Sequence, residues 1–160
     1  MSLPGMSALA KILVAGGVAM ALAACSFGGG GGQPLSPGLT QPMNQPGAQL
    51  NRVEALFLLN DYRRAQGSAD VRGDTVLDAT AQTLATNYAK TGAQPTLPGG
   101  AVVMRLSAGY ATFAETFSGW RNAPADAAAL VTPTAKRAGL GVAYDPNSSM
   151  GVYWVLVLAN

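Results

Sequence analysis

Histidine is missing altogether from this 160-residue sequence, cysteine occurs once, and charged residues make up only 11% of it. Each shortage excludes something. Without an imidazole, the commonest general base near neutral pH is gone, and so are Ser–His and Cys–His nucleophile pairs. Ser107, Ser118, Ser148 and Ser149 offer hydroxyls, but nothing in their spacing to Lys90 or Lys136 recommends a Ser–Lys pair. Zinc would lack the nitrogen ligands it favours. One cysteine cannot close a disulfide within the chain, so packing alone must hold the fold. Of the ten Lys and Arg residues only Lys11 precedes Cys25, and the nine beyond it are interspersed with eight Asp and Glu. No basic stripe forms, which argues against nucleic acid as a partner.

What the sequence does contain begins with an apolar run. Lys11 is followed by "ILVAGGVAMALAA", residues 12–24. Thirteen residues are too few to span a bilayer as a helix, but they match the core of a signal peptide. The run closes on "LAAC", residues 22–25, where small residues precede the only cysteine. This resembles the bacterial lipobox, in which the cysteine thiol is diacylated, the chain is cut before it and the new amine is acylated. The alternative is an ordinary secretory signal with an incidental cysteine. Lipidation is the expectation, because a lone thiol has little other use here. Residues 1–24 are therefore read as a signal peptide and Cys25 as a lipid anchor of the palmitate type. Several acyl chains anchor firmly where one binds only marginally. Ser26 after the cysteine, rather than aspartate, resembles an outer-membrane sorting signal, so the expected location is the outer membrane, facing the periplasm.

Residues 26–49, "SFGGGGGQPLSPGLTQPMNQPGAQ", carry seven glycines, four prolines and no charge. Together with Cys25 they read as a tether over residues 25–49, with a reach of about 25–30 Å and no packed core. The folded domain is expected over residues 50–160. Asn51 and Glu54 open it at capping-box spacing, residues 55–59 are apolar on nearly every side, and Gly67 ends this helix. Such a helix should be buried on more than one face, with Asn60 a buried amide bonded to backbone. Asp74 caps a second helix carrying Leu77, Ala81, Leu84 and Tyr88 at helical spacing, with Gly92 past its end. Thr112 caps a third, striped by Phe113, Phe117 and Trp120, and Pro124 opens a fourth reaching about Val131. Then the period changes. "LGVAY", residues 140–144, alternates large and small; "DPNSS", 145–149, is a turn; "GVYWVLVLA", 151–159, is apolar throughout. Helices followed by a hairpin buried on both faces predict an α+β fold, a three-layer α-β-α sandwich with the C-terminal hairpin in a small central sheet.

Taken in order, "LLNDYRRAQG", "DTVLDATAQTLATNYA", "SAGYATFAETFSGWRNAP", "GLGVAYD" and "YWVLVLA" resemble the CAP superfamily of cysteine-rich secretory, antigen 5 and pathogenesis-related proteins. The resemblance covers roughly residues 50–160 and implies the same sandwich. It also implies a cleft in which many members gather two histidines and two glutamates that can bind a divalent metal. The family's "GENIAAGY" falls on residues 103–110, "VMRLSAGY", and puts Met104 where the first glutamate belongs. The second glutamate, five residues before the family tryptophan, matches Glu115 ahead of Trp120. "SPGHRAN" falls on residues 123–129, "APADAAA", so Asp126 takes the second histidine's place. The first histidine belongs in the loop at residues 92–98, which is shortened and contains none.

Two readings of the surviving carboxylates stand side by side. Beside a cleft, Glu115 and Asp126 form a weak oxygen-ligand site or share a proton. At helix starts, Glu115 completes a capping box with Thr112, and Asp126 complements the helix dipole behind Pro124. The second is preferred, and Met104 is read as core. No catalytic residue, metal or cofactor is expected. The resemblance then implies a non-enzymatic, membrane-anchored envelope lipoprotein that binds a lipid or other apolar ligand, or an envelope protein partner. The alternatives are a degenerate hydrolase or protease of the family and a purely structural envelope protein.

Overall fold

A computed structural model describes residues 34–160; the expected signal peptide and Cys25 lie outside the described residues. The sheet is organised around β4 (Val152–Ala159), whose eight residues are all buried. Its neighbours are β3 (Arg137–Tyr144) and β2 (Ala101–Ala108), both antiparallel to it. A two-residue strand, β1 (Arg72–Gly73), pairs parallel with the start of β3, giving the order β1-β3-β4-β2. Successive side chains of a strand point to opposite faces. Val152, Trp154, Leu156 and Leu158 accordingly enter the main core, while Val155 and Val157 meet Ala81 and Ala85 in a smaller one.

The smaller core belongs to α3 (Thr75–Thr91). The Asp74 side chain accepts from the Val76 and Leu77 amides, and Gly92 closes the helix at a φ of 69°. The Leu77 amide and the Arg137 guanidinium hold the Asp74 carboxyl below its usual range. The helix lies so close to β3 that a Cβ on Gly139 or Gly141 would run into the backbone of Leu77 and Ala81. That close approach explains "LGVAY": its large residues face the main core and its glycine makes room for the helix. Beyond β1, the outer edge of β3 is closed by side chains. Asp78 accepts from the Leu140 amide, Arg52 donates to the Leu140 carbonyl, and Gln82 bonds both backbone groups of Val142. An edge so occupied is no template for another strand.

The opposite layer contains α2 (Arg52–Ala65), α4 (Phe113–Asn122) and α5 (Pro124–Leu130). Phe113, Phe117 and Trp120 are buried as the spacing predicts. The indoles of Trp120 and Trp154 donate to the carbonyls of Leu106 and Tyr110, each at 2.9 Å, and so pin the chain between β2 and α4. Asn60 bonds both the amide and the carbonyl of Val71. Arg63 is fully buried and donates to the carbonyls of Ala69, Leu130 and Thr132. Burial lowers its pKa, but a guanidinium stays charged at any ordinary pH.

Three features depart from the expectations. Residues 34–49 are not a free tether. A single turn, α1 (Pro37–Thr40), and the residues after it cross α2 and α4, burying Leu39 and Met43 in the main core with 5% and 2% of their surface exposed. The Met43 amide donates to the Ala111 carbonyl and the Ser36 hydroxyl to Glu54. The folded unit therefore takes in residues 34–49, and a boundary at residue 50 falls too late. Next, α2 is not buried on several faces. It buries Ala55, Leu59 and Arg63, whereas Phe57 is 64% exposed beneath the Arg64 guanidinium. Finally, residues 101–108 form a whole strand. It lies at the sheet's edge, where every residue except Val103 is only half-buried.

Candidate functional site

Met104 and Arg105 are consecutive on β2 and so face opposite sides of the sheet. Met104 is registered with Val157 and packs with it against the α3 layer. Arg105 is registered with Leu156, which faces the main core and the α4–α5 layer. The residue on the α4–α5 side, where Glu115 and Asp126 lie, is therefore Arg105, not Met104. A glutamate at position 104 would point towards α3.

Asp126, in the first turn of α5, accepts from Arg105 Nη1 at 3.2 Å, with both side chains about a third exposed. Its specific partner is thus an arginine, beyond the helix dipole that sequence reasoning proposed. Arg105 Nε is buried without a partner. Glu115 is committed too. Its Oε2 accepts from the amide and the hydroxyl of Thr112, each at 3.0 Å, and its own amide donates to Thr112 Oγ1 at 3.2 Å. This is the complete capping box. The structure gives the three predicted positions separate duties and does not bring them together. Arg105 was missed, although alternation along residues 101–108 places it on the same side as Val103.

These residues do not fit a divalent metal. Zinc would have to displace a cation from Asp126 and a helix cap from Glu115, and would find no imidazole in the chain. Among the described residues, no three His, Cys, Asp or Glu side chains are gathered as a metal site. Added zinc is expected to leave the melting temperature unchanged, since only a ligand of the native state raises it. A zinc-dependent rise that disappears in Glu115→Gln would show that the carboxylates are available after all.

Beside this region a groove of about 160 Å³ runs between α2 and α4, lined by Leu35, Leu58, Ala114, Phe117, Ser118 and Arg121. Leu35, from the segment that crosses the helices, forms one wall. No helix among the described residues is long and apolar enough to cross a membrane.

The sandwich, with α3 on one face of the sheet and α2, α4 and α5 on the other, is the CAP architecture. The model of the cysteine-rich secretory protein (CAP) family matches residues 56–158, and the chain belongs to that family. Solved structures agree on the fold. MpPR-1i is 20% identical with a TM-score of 0.55, over 67% of this chain and 88% of its own. An outer surface protein from Borrelia burgdorferi is 13% identical with a TM-score of 0.54, over 66% of this chain and 89% of its own. A cysteine-rich secretory protein from Staphylococcus aureus is 13% identical with a TM-score of 0.50, over 67% of this chain and 37% of its own. No curated protein matches the sequence.

Proposed function

We propose that this chain is a lipid-anchored protein of a bacterial outer membrane, with Cys25 as the acylated residue and a non-catalytic CAP domain that binds an apolar ligand. The observation that carries the reading is the commitment of the cleft: Glu115 caps α4, Asp126 pairs with Arg105, and Met104 packs in the α3 layer. Each carboxylate has a structural partner, and the chain holds no imidazole to serve as a general base beside them. An outer surface protein among the structural neighbours is consistent with an envelope location.

The α2–α4 groove is the seat for the ligand. Phe117 and Leu58 give it apolar walls, while Arg121 and Ser118 supply a polar rim. At about 160 Å³ it is smaller than the 300–1,000 Å³ or so of an ordinary ligand site. Occupancy by an acyl chain therefore requires Leu35 to lift from the groove. An envelope protein is the alternative partner, favoured by the exposed pair Val53 and Phe57 on α2.

One fractionation tests both halves. The parent chain should stay with washed membranes and carry labelled acyl groups, whereas Cys25→Ser should be released without label. Label persisting in Cys25→Ser would overturn the anchor. Native mass spectrometry of the released Cys25→Ser protein, which has no acyl chains of its own, should show a lipid-sized adduct. A ligand-free mass alone would overturn the apolar-ligand reading and leave the anchor standing.

A further inference from the structure

A second concavity, of about 520 Å³, opens at the end of the sheet where β1 and β3 begin. Asp70, Arg72, Gly73, Lys136, Arg137 and Asn160 line it. Charge is scarce in this chain, yet three of the nine cationic residues beyond Cys25 meet here. Arg72 and Arg137 are directly opposed across the parallel β1–β3 pair, and Lys136 precedes Arg137. Like charges placed opposite one another on adjacent strands repel.

The neighbouring acids relieve that repulsion only at Arg137. Asp70 is engaged by Arg64 at 2.7 Å. Asp74 caps α3 and pairs with Arg137 at 2.8 Å. Arg137 is also held through Nε by the Asn160 carbonyl at 2.8 Å, so its guanidinium is fixed in place with Nη2 left over. The side chains of Arg72 and Lys136 make no ion pair or hydrogen bond among the described residues. The hollow thus combines one fixed guanidinium with two uncommitted cations.

We propose that this hollow binds a phosphate-bearing ligand through Arg72, Lys136 and Arg137. Planar guanidinium forks match the spacing of phosphate oxygens, and an ammonium adds a compact charge beside them. The hollow has the volume of a small-molecule site, enough for a phosphate and the group it is esterified to. A lipid headgroup and a free phosphate present the same chemistry. The site is independent of the α2–α4 groove and of the anchor at Cys25.

Titration calorimetry on the full chain in neutral detergent, at fixed ionic strength, tests this. Inorganic phosphate should give a saturable heat. The Arg72→Gln/Lys136→Gln double variant should weaken binding at least tenfold, whereas Lys90→Gln, on α3 outside the hollow, should leave it unchanged. Glycerophosphoglycerol, a soluble diester headgroup, separates the sources. Competition with phosphate points to a lipid headgroup, and binding of inorganic phosphate alone points to a free phosphate. Either result supports the site. Without phosphate, the double variant should melt no lower than the parent, because removing facing charges relieves repulsion. A lower melting temperature would make these cations structural and overturn the proposal. So would equal affinity in the double variant, or no heat beyond a chloride control for either probe.

Discussion

Trp154→Ala is expected to lower the unfolding free energy by about 3–5 kcal/mol. The side chain is completely buried at the centre of β4, between Val142 on β3 and Ser107 on β2. Its ring lies 5.8 Å from that of Phe113, and its indole nitrogen satisfies the Tyr110 carbonyl. Alanine would open a cavity in the main core and orphan that carbonyl in one step. For a domain whose total stability is of the order of 5–15 kcal/mol, and with no disulfide to fall back on, this is a large fraction. Urea unfolding should show the midpoint falling with the slope unchanged, the sign of lost stability rather than an altered unfolded state. Trp154→Phe keeps most of the volume but not the donor, so it should cost clearly less. A midpoint unchanged in Trp154→Ala would mean that β4 is not covered on both faces.

The parts of this fold that were legible in the sequence are those decided locally or by strong repetition. Asp74, the Thr112–Glu115 box and the glycine at 92 announce helix ends, because the groups they satisfy lie within a few residues. The unbroken apolar run of β4 announces a strand covered on both faces, and the alternation of "LGVAY" announces a strand, though not the helix packed against its glycines. What was not legible depends on distant partners. Leu39 and Met43 are isolated apolar residues in a Gly/Pro background, and only the surface offered by α2 and α4 turns them into core. Strand β2 shows no period of two in its burial because it is an edge, half-exposed along its length. Without knowing that it was a strand, alternation could not be used, and the motif alone put Met104 in the cleft instead of Arg105.

The same reasoning explains the altered cleft. In a segment read as a motif, Met104 and Asp126 look like losses from a metal site. In the structure, Arg105 and Asp126 are a cross-layer contact joining the edge strand to α5, and Glu115 is part of a helix start. Asp126 ties the helical layer to the sheet, and Glu115 fixes the start of α4. Both carboxylates thus have structural partners, and the concave surfaces lie elsewhere, in the groove between α2 and α4 and the hollow at the sheet's end.

Arg63→Leu is expected to be comparably severe, at about 3–5 kcal/mol, although nothing within "YRR" sets Arg63 apart from Arg64. Arg63 Nε, Nη1 and Nη2 each serve a different carbonyl, those of Ala69, Leu130 and Thr132 at 2.8, 2.6 and 3.2 Å. Replacing a buried polar pair with apolar groups can be neutral when both partners are replaced. Here the acceptors are backbone and cannot be replaced. Leucine would leave the Ala69 and Leu130 carbonyls without a donor, each costing about 1–3 kcal/mol where water cannot follow, and the Thr132 carbonyl with only the Ala135 amide. It would also cut the link between α2 and the end of α5. Arg63→Lys keeps the charge, but a single ammonium cannot reach three divergent acceptors, so it should recover only part of the loss. The order parent, lysine, leucine in urea midpoints is the expected result. Equal midpoints for Arg63→Leu and the parent would show that water satisfies those carbonyls and that Arg63 does not hold the helical layer together.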